Sequence, residues 1–199
     1  INLSSRSSLV GWLTDYYPGG NLNQSPLWRK AGEEIIGRKL TGENAPAREV
    51  DSDGNLRERQ FEAYPGSKIE AILKYNRPML EDGEIAYEFF YEPNQAQVHP
   101  ALDRLVFMLD PEGVKLHRLT DGPWERTGLK PDNATVEPSN RKGPTRPPLK
   151  RKAWNKVVLK TVGDRVLVSL NGELVYDRAL EPNNRRDFGL FHYADETEA

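Results

Sequence analysis

Cysteine is absent from the 199 residues, so no disulfide, thiol nucleophile or cysteine-ligated zinc is available. A chain of this size buries roughly 70% of the surface its unfolded form exposes and can do without covalent staples. Lack of cysteine suits a reducing cytosol and equally suits many exported bacterial proteins, so it assigns no compartment. Helix signals are nearly as scarce. With 15 Pro and 16 Gly scattered along the chain, few windows could hold three unbroken turns. Apolar runs stay short, far below the roughly 20 residues of a membrane span, and no membrane partner is expected. Positive charge is not in excess. A net charge of −2 and a pI near 6.0 argue against a nucleic-acid partner. The opening INLSSRSSLVGW lacks the charged lead and apolar core of a signal peptide. Beginning at Ile1, the chain reads as a processed form or an excised piece, and other domains of a longer chain are expected partners.

What the sequence does contain is strand pattern. Ten short runs recur at 34–40, 56–62, 68–76, 84–92, 102–110, 114–120, 155–162, 165–170, 173–178 and 187–193, separated by Gly, Pro, Asn and Asp. Such spacing predicts a single all-β domain over 1–199, an antiparallel sandwich or barrel. Gly163–Asp164 and Asn171–Gly172 suit type II′ and type I′ turns, each reversing the chain in two residues. The segment 155–178 is therefore predicted to be a three-stranded meander. Within it Val166, Val168 and Leu170 share one face, while Arg165, Leu167 and Ser169 share the other. The region 121–153 lacks alternation and carries PSNRKGPTRPPLKRK (138–152), with six basic residues and four prolines. It is expected to be a long solvated loop over the sandwich, with a lid beside a ligand site as the alternative.

The run WNKVVLKTVGDRVLVSLNGELVYDRALEPNNRRDFGLF (154–191) resembles the C-terminal strands of concanavalin A-like jelly rolls, through Trp154, Asn171–Gly172, Asp177 and Gly189. That superfamily includes lectins, laminin-G-like modules and glucanases. The resemblance implies a jelly-roll sandwich of two curved sheets with the long loop at 121–153, and it implies no particular activity. The middle of the chain, GEIAYEFFYEP (83–93) and 98–128, resembles an uncharacterised bacterial family of such domains found in large proteins.

Candidate site residues come from strand alternation. In EIAYEFFYE (84–92), Ile85, Tyr87, Phe89 and Tyr91 form the core side, which turns Glu84, Ala86, Glu88, Phe90 and Glu92 outward. Glucanases of the resembled fold place Glu, Asp and Glu at steps of two. Here the steps read Glu88, Phe90 and Glu92, so the central acid is missing and Pro93 ends the strand. Cα atoms four residues apart on a strand lie about 13 Å apart, whereas retaining hydrolysis wants carboxyls about 5 to 5.5 Å apart. In 102–110 the alternation puts Leu105, Phe107 and Leu109 inward and Arg104 outward, and in 114–120 it turns His117 outward. A hairpin through Asp110–Gly113 would gather Glu88, Arg104 and His117 on one concave face, suited to a hydroxyl-rich or anionic ligand. The bland alternative is a Glu–Arg ion pair beside a solvated histidine. Asp121 and Trp124 add a loop where an aromatic platform for a sugar could lie.

Neither a metal nor a cofactor is expected. His99, His117 and His192 show no metal-ligand spacing, and DSDGN (51–55) reads as a hairpin turn rather than a calcium loop. No phosphate-cradling glycine loop or GxSxG occurs. The expected function is recognition of a glycan or other ligand on the concave face, as a module of a larger protein. The alternatives are a saccharide-acting hydrolase and a purely structural or interaction module.

Overall fold

The computed structural model describes residues 9, 11–13, 28–37, 49–50, 56–57, 70–93, 97–119 and 134–193. These form β1 (Trp12–Leu13), β2 (Trp28–Ala31), β3 (Glu34–Gly37), β4 (Glu49–Val50), β5 (Leu56–Arg57), β6 (Glu70–Tyr75) and β7 (Gly83–Tyr91). They continue with β8 (His99–Leu102), β9 (Leu105–Asp110), β10 (Gly113–Arg118), β11 (Ala153–Val162), β12 (Arg165–Leu170), β13 (Glu173–Ala179) and β14 (Phe188–Tyr193). One 3-10 turn at Pro138–Asn140 is the only helical element among the described residues, and no helix there is long and apolar enough to cross a membrane.

A six-stranded antiparallel sheet runs β1-β6-β14-β8-β9-β10, and a four-stranded one runs β13-β12-β11-β7. The hairpins β2–β3 and β4–β5 stand apart from both sheets. Apolar residues of the two sheets meet in one core, with Phe107 of β9 and Tyr176 of β13 at a ring separation of 5.6 Å across the layers. This is the expected all-β sandwich, and its C-terminal meander pairs in sequence order. Asn171 and Gly172 both take positive φ (50° and 90°), as a type I′ turn requires. A bulge opposite Val168 and Ser169 places the consecutive residues Val175 and Tyr176 both in the core.

Two expected elements differ. The run 102–110 is two strands, β8 and β9, joined by a tight turn at Asp103–Arg104. Asp103 takes φ 54° and its carboxylate accepts from Arg185 N–H and Nε–H, both at 3.2 Å, so the chain reverses without a glycine. The second difference lies in 121–153. Its described part, from 134 on, is hydrogen-bonded to both sheets along the β10–β13 side and so is neither free loop nor lid. The expected hairpin around 51–55 has its strands β4 and β5, while Asp51, Asp53 and Asn55 lie outside the described residues.

Candidate functional site

β7 is the last strand of its sheet among the described residues, hydrogen-bonded to β11 on one side and with no described strand on the other. A cleft of about 1030 Å³ runs beside that open edge. Its floor is the inner face of the six-stranded sheet, where Trp12, Tyr75, Phe188 and Leu190 lie. Trp12 packs edge-on against Tyr75 at 5.4 Å and against Phe188 at 6.3 Å. β3 lines another side, together with Glu33 just before it. This hairpin is seated by Trp28, whose buried ring stands 4.6 Å from that of His192. Gly37 permits the approach, since a Cβ there would lie 2.7 Å from the His192 ring.

Alternation in GEIAYEFFY decides what β7 presents. Phe89 and Tyr91 are in the core, and Glu84, Ala86, Glu88 and Phe90 are exposed. Register with β11 sets Glu84 opposite Lys160, Glu88 opposite Lys156 and Phe90 opposite Trp154. Phe90 and Trp154 are 47% and 51% exposed and pack edge to face at 5.8 Å, leaving a large aromatic surface in water at the cleft rim. Four glutamates, Glu33, Glu34, Glu84 and Glu88, and one cation, Arg77, are among the lining residues.

The anticipated trio is not assembled. Glu88 is exposed on the four-stranded sheet, whereas Arg104 and His117 belong to the six-stranded layer. Arg104 sits in the β8–β9 turn and donates through Nε and Nη2 to Leu119 O at 3.1 and 3.0 Å. His117 does turn to the outer face, as alternation required, but that face is itself packed. Its ring is fully buried between Phe191 and Tyr193, with Nδ1 3.1 Å from the Tyr193 hydroxyl. The error was one of adjacency. β7 pairs with β11, some seventy residues later, and not with the strands that follow it. Asp121 and Trp124 lie outside the described residues.

All three histidines are buried. His99 Nδ1 accepts from Leu109 N–H at 3.0 Å, and burial lowers its pKa from 6.5 to about 3, against a smaller upward pull from Asp110. Among the described residues no group of three or more His, Asp or Glu side chains is placed to hold a metal. The site residues that sequence reasoning missed are Trp154, Phe90 as a partner of Trp154, and the cleft floor. Period-two alternation had already marked Phe90 as outward-facing; Trp154 precedes the run read as a strand, 155–162, and its pairing with Phe90 was hidden.

Residues 64–199 match the family described as a domain of unknown function (DUF1583_N). No curated protein matches the chain. Among solved structures, the carbohydrate binding module CBM66 from Bacillus subtilis is similar at 14% identity and a TM-score of 0.45, over 92% of this chain and 88% of that one. A candidate glycosyl hydrolase from Parabacteroides distasonis is similar at 13% identity and a TM-score of 0.43, over 96% and 90%.

Proposed function

The chain belongs to the DUF1583_N family, a domain of unknown function, and we propose that it is a glycan-recognition module whose ligand lies on the outer face of the four-stranded sheet at the cleft rim. In this reading the sandwich is a concanavalin A-like jelly roll carried within a larger bacterial protein. The observation that carries it is the exposed Phe90–Trp154 pair beside Glu88 and Lys156. Aromatic rings in water are a poor use of apolar surface unless something covers them, and the C–H face of a sugar ring does so while its hydroxyls reach nearby polar groups. Glu88 would accept from a hydroxyl and Lys156 would donate to one, so both polar partners are supplied by a single pair of strands. Hydrolysis is not supported. Glu84 and Glu88 stand four residues apart on β7, about 13 Å between Cα atoms, with Ala86 between them.

The test is a glycan array with the full chain, followed by calorimetry on each hit with Trp154→Ala, Phe90→Ala and Glu88→Gln. Each aromatic truncation is expected to weaken binding about tenfold, and Glu88→Gln about fivefold or more. A hit that all three variants bind like the wild type would overturn the placement, and no hit across the array would overturn the glycan.

A further inference from the structure

Of the four edge strands of the two sheets, β1 is two residues long and the other three are six or more, and the segment from 134 on bridges onto two of those three. Thr135 bridges to Leu116 on β10, and Arg141 bridges to Tyr176 on β13. The third, β7, has no strand on its outer side among the described residues.

Hydrogen-bond alternation tells which backbone groups this leaves over. Lys156 accepts from Asn171 N–H at 2.8 Å, and its own N–H donates to Asn171 Oδ1 at 2.9 Å, so its backbone points toward β12. Its neighbours Asn155 and Val157 therefore point toward β7, where they face Phe89 and Tyr87. By the same alternation Glu84, Ala86, Glu88 and Phe90 aim their N–H and C=O groups away from β11, into the cleft. Natural edges are usually blunted by a bulge, a proline or a cover. β7 keeps an unbroken register from Gly83 to Tyr91 and contains no proline.

We propose that this edge takes an extended peptide of another protein as a fifth strand, one in which basic side chains alternate with apolar ones. A strand laid along β7 sends one set of side chains to the outer face, beside Glu84 and Glu88, which would then lie between Lys160 and Lys156 of β11 on one side and the basic side chains of the peptide on the other. The other set points inward over the floor of Trp12, Tyr75 and Phe188, which rewards apolar groups. Glu33 and Glu34 on β3's side add to the preference for lysine or arginine. A second copy of the chain is a poor occupant. Two β7 strands paired antiparallel about Ala86 would set Glu84 opposite Glu88 twice, and like charges directly opposed are destabilising. The inference differs from glycan recognition in using the backbone edge of β7 rather than the Phe90–Trp154 surface; the two share Glu88, so Ala86→Pro and Trp154→Ala are the variants that separate them.

The probe is a fluorescent octapeptide of four Lys-Val repeats, titrated into the full chain and followed by anisotropy. Its counterparts are the Glu-Val octapeptide and a Lys-Val peptide N-methylated on alternate residues. The Lys-Val peptide is expected to bind at least about tenfold more tightly than either, and to slow amide exchange at Ala86 and Glu88. Ala86→Pro removes one edge N–H and is expected to weaken binding about tenfold with the urea midpoint retained. Should that variant unfold, the Glu84→Lys, Glu88→Lys double variant serves instead, with preference reversed toward the Glu-Val peptide. Equal binding of the N-methylated peptide would overturn the proposal by leaving only charge attraction. So would no binding of the Lys-Val peptide, or a dimer in light scattering with protected β7 amides. Loss of peptide binding with a glycan hit intact sinks this inference alone, and the reverse result sinks the glycan reading alone.

Discussion

Along the β10–β13 side the segment 134–150 stitches the two sheets together, whereas along the β7 side the sheets part around an open cleft. On the closed side Thr135 and Leu116 exchange backbone hydrogen bonds, both at 2.8 Å, and Lys142 N–H donates to Val175 O at 3.0 Å. Arg141 Nε donates to Val114 O at 2.9 Å, and Asn171 Nδ2 donates to Pro148 O at 2.7 Å. Glu137 accepts from the Tyr176 hydroxyl, from Asn140 Nδ2 at 2.6 Å and from Arg178 Nε at 3.2 Å. Burial by itself would raise the Glu137 pKa, but those donors outweigh it and hold the carboxyl below its usual range, while burial and Glu137 push Tyr176 upward. The contrast teaches that a proline-rich basic stretch can be a structural strap when side chains of the sheets supply the hydrogen bonds that its prolines cannot. A cleanly alternating strand, conversely, can carry the open and interactive edge.

The strongest test of the closed side is Asn155→Ala. Asn155 is buried, accepts from Lys150 N–H and Asn171 Nδ2, and donates to Lys150 O and Ala153 O. Its removal orphans several groups at once and is expected to cost about 3 kcal/mol by urea denaturation.

Acid should loosen the layer beneath both edges. His99 is neutral in the folded chain down to about pH 3, whereas the unfolded chain binds that proton below about 6.5. Stability is thus full above pH 6.5 and falls as pH drops through the window down to about 3, by up to about 1.4 kcal/mol per unit. Urea midpoints at pH 7, 6 and 5 should show the decline, about 2 kcal/mol by pH 5, and His99→Gln should flatten it. Glu137 has its pKa lowered from 4.5, so its contribution is present above that value and is lost only in stronger acid. The closed side is therefore expected to keep its strap through the upper part of that range, down to about pH 4.5.

Gly143→Val comes next. Gly143 takes φ 67° and an added Cβ would lie 2.6 Å from Leu174 O, so the strap must shift, at an expected cost of about 2 kcal/mol in the same assay. The smallest effect belongs to the open side. Trp154→Ala removes a half-exposed ring whose recorded ring contact is Phe90, and stability should stay within about 0.5 kcal/mol. A loss of several kcal/mol there would make the Phe90–Trp154 pair a structural element, and the comparison between the two sides would fail.

Much of this architecture is legible in one dimension, because its causes are local. Alternation in 84–92 and 165–170 names the inward residues, and Asn171–Gly172 supplies the two positive φ values that its turn needs. The Asp103–Arg104 turn was hidden because its left-handed residue is an aspartate stabilised by Arg185, far along the chain. Likewise the strap's bonds are made by Tyr176, Arg178 and Asn171, residues that no local pattern links to 134–150.

By itself, then, the sequence determined the strand class, the inward faces, the tight meander turns and the outward setting of Glu88, Phe90 and His117, since each follows from side-chain period and backbone sterics. Only the tertiary structure decided which strands outside that meander became neighbours. Pairing of β7 with β11 joined Phe90 to Trp154 and parted Glu88 from Arg104 and His117, and packing of the outer face made His117 a core residue. Those outcomes depend on contacts between residues many positions apart, chosen by burial of the whole core, and no local period encodes them.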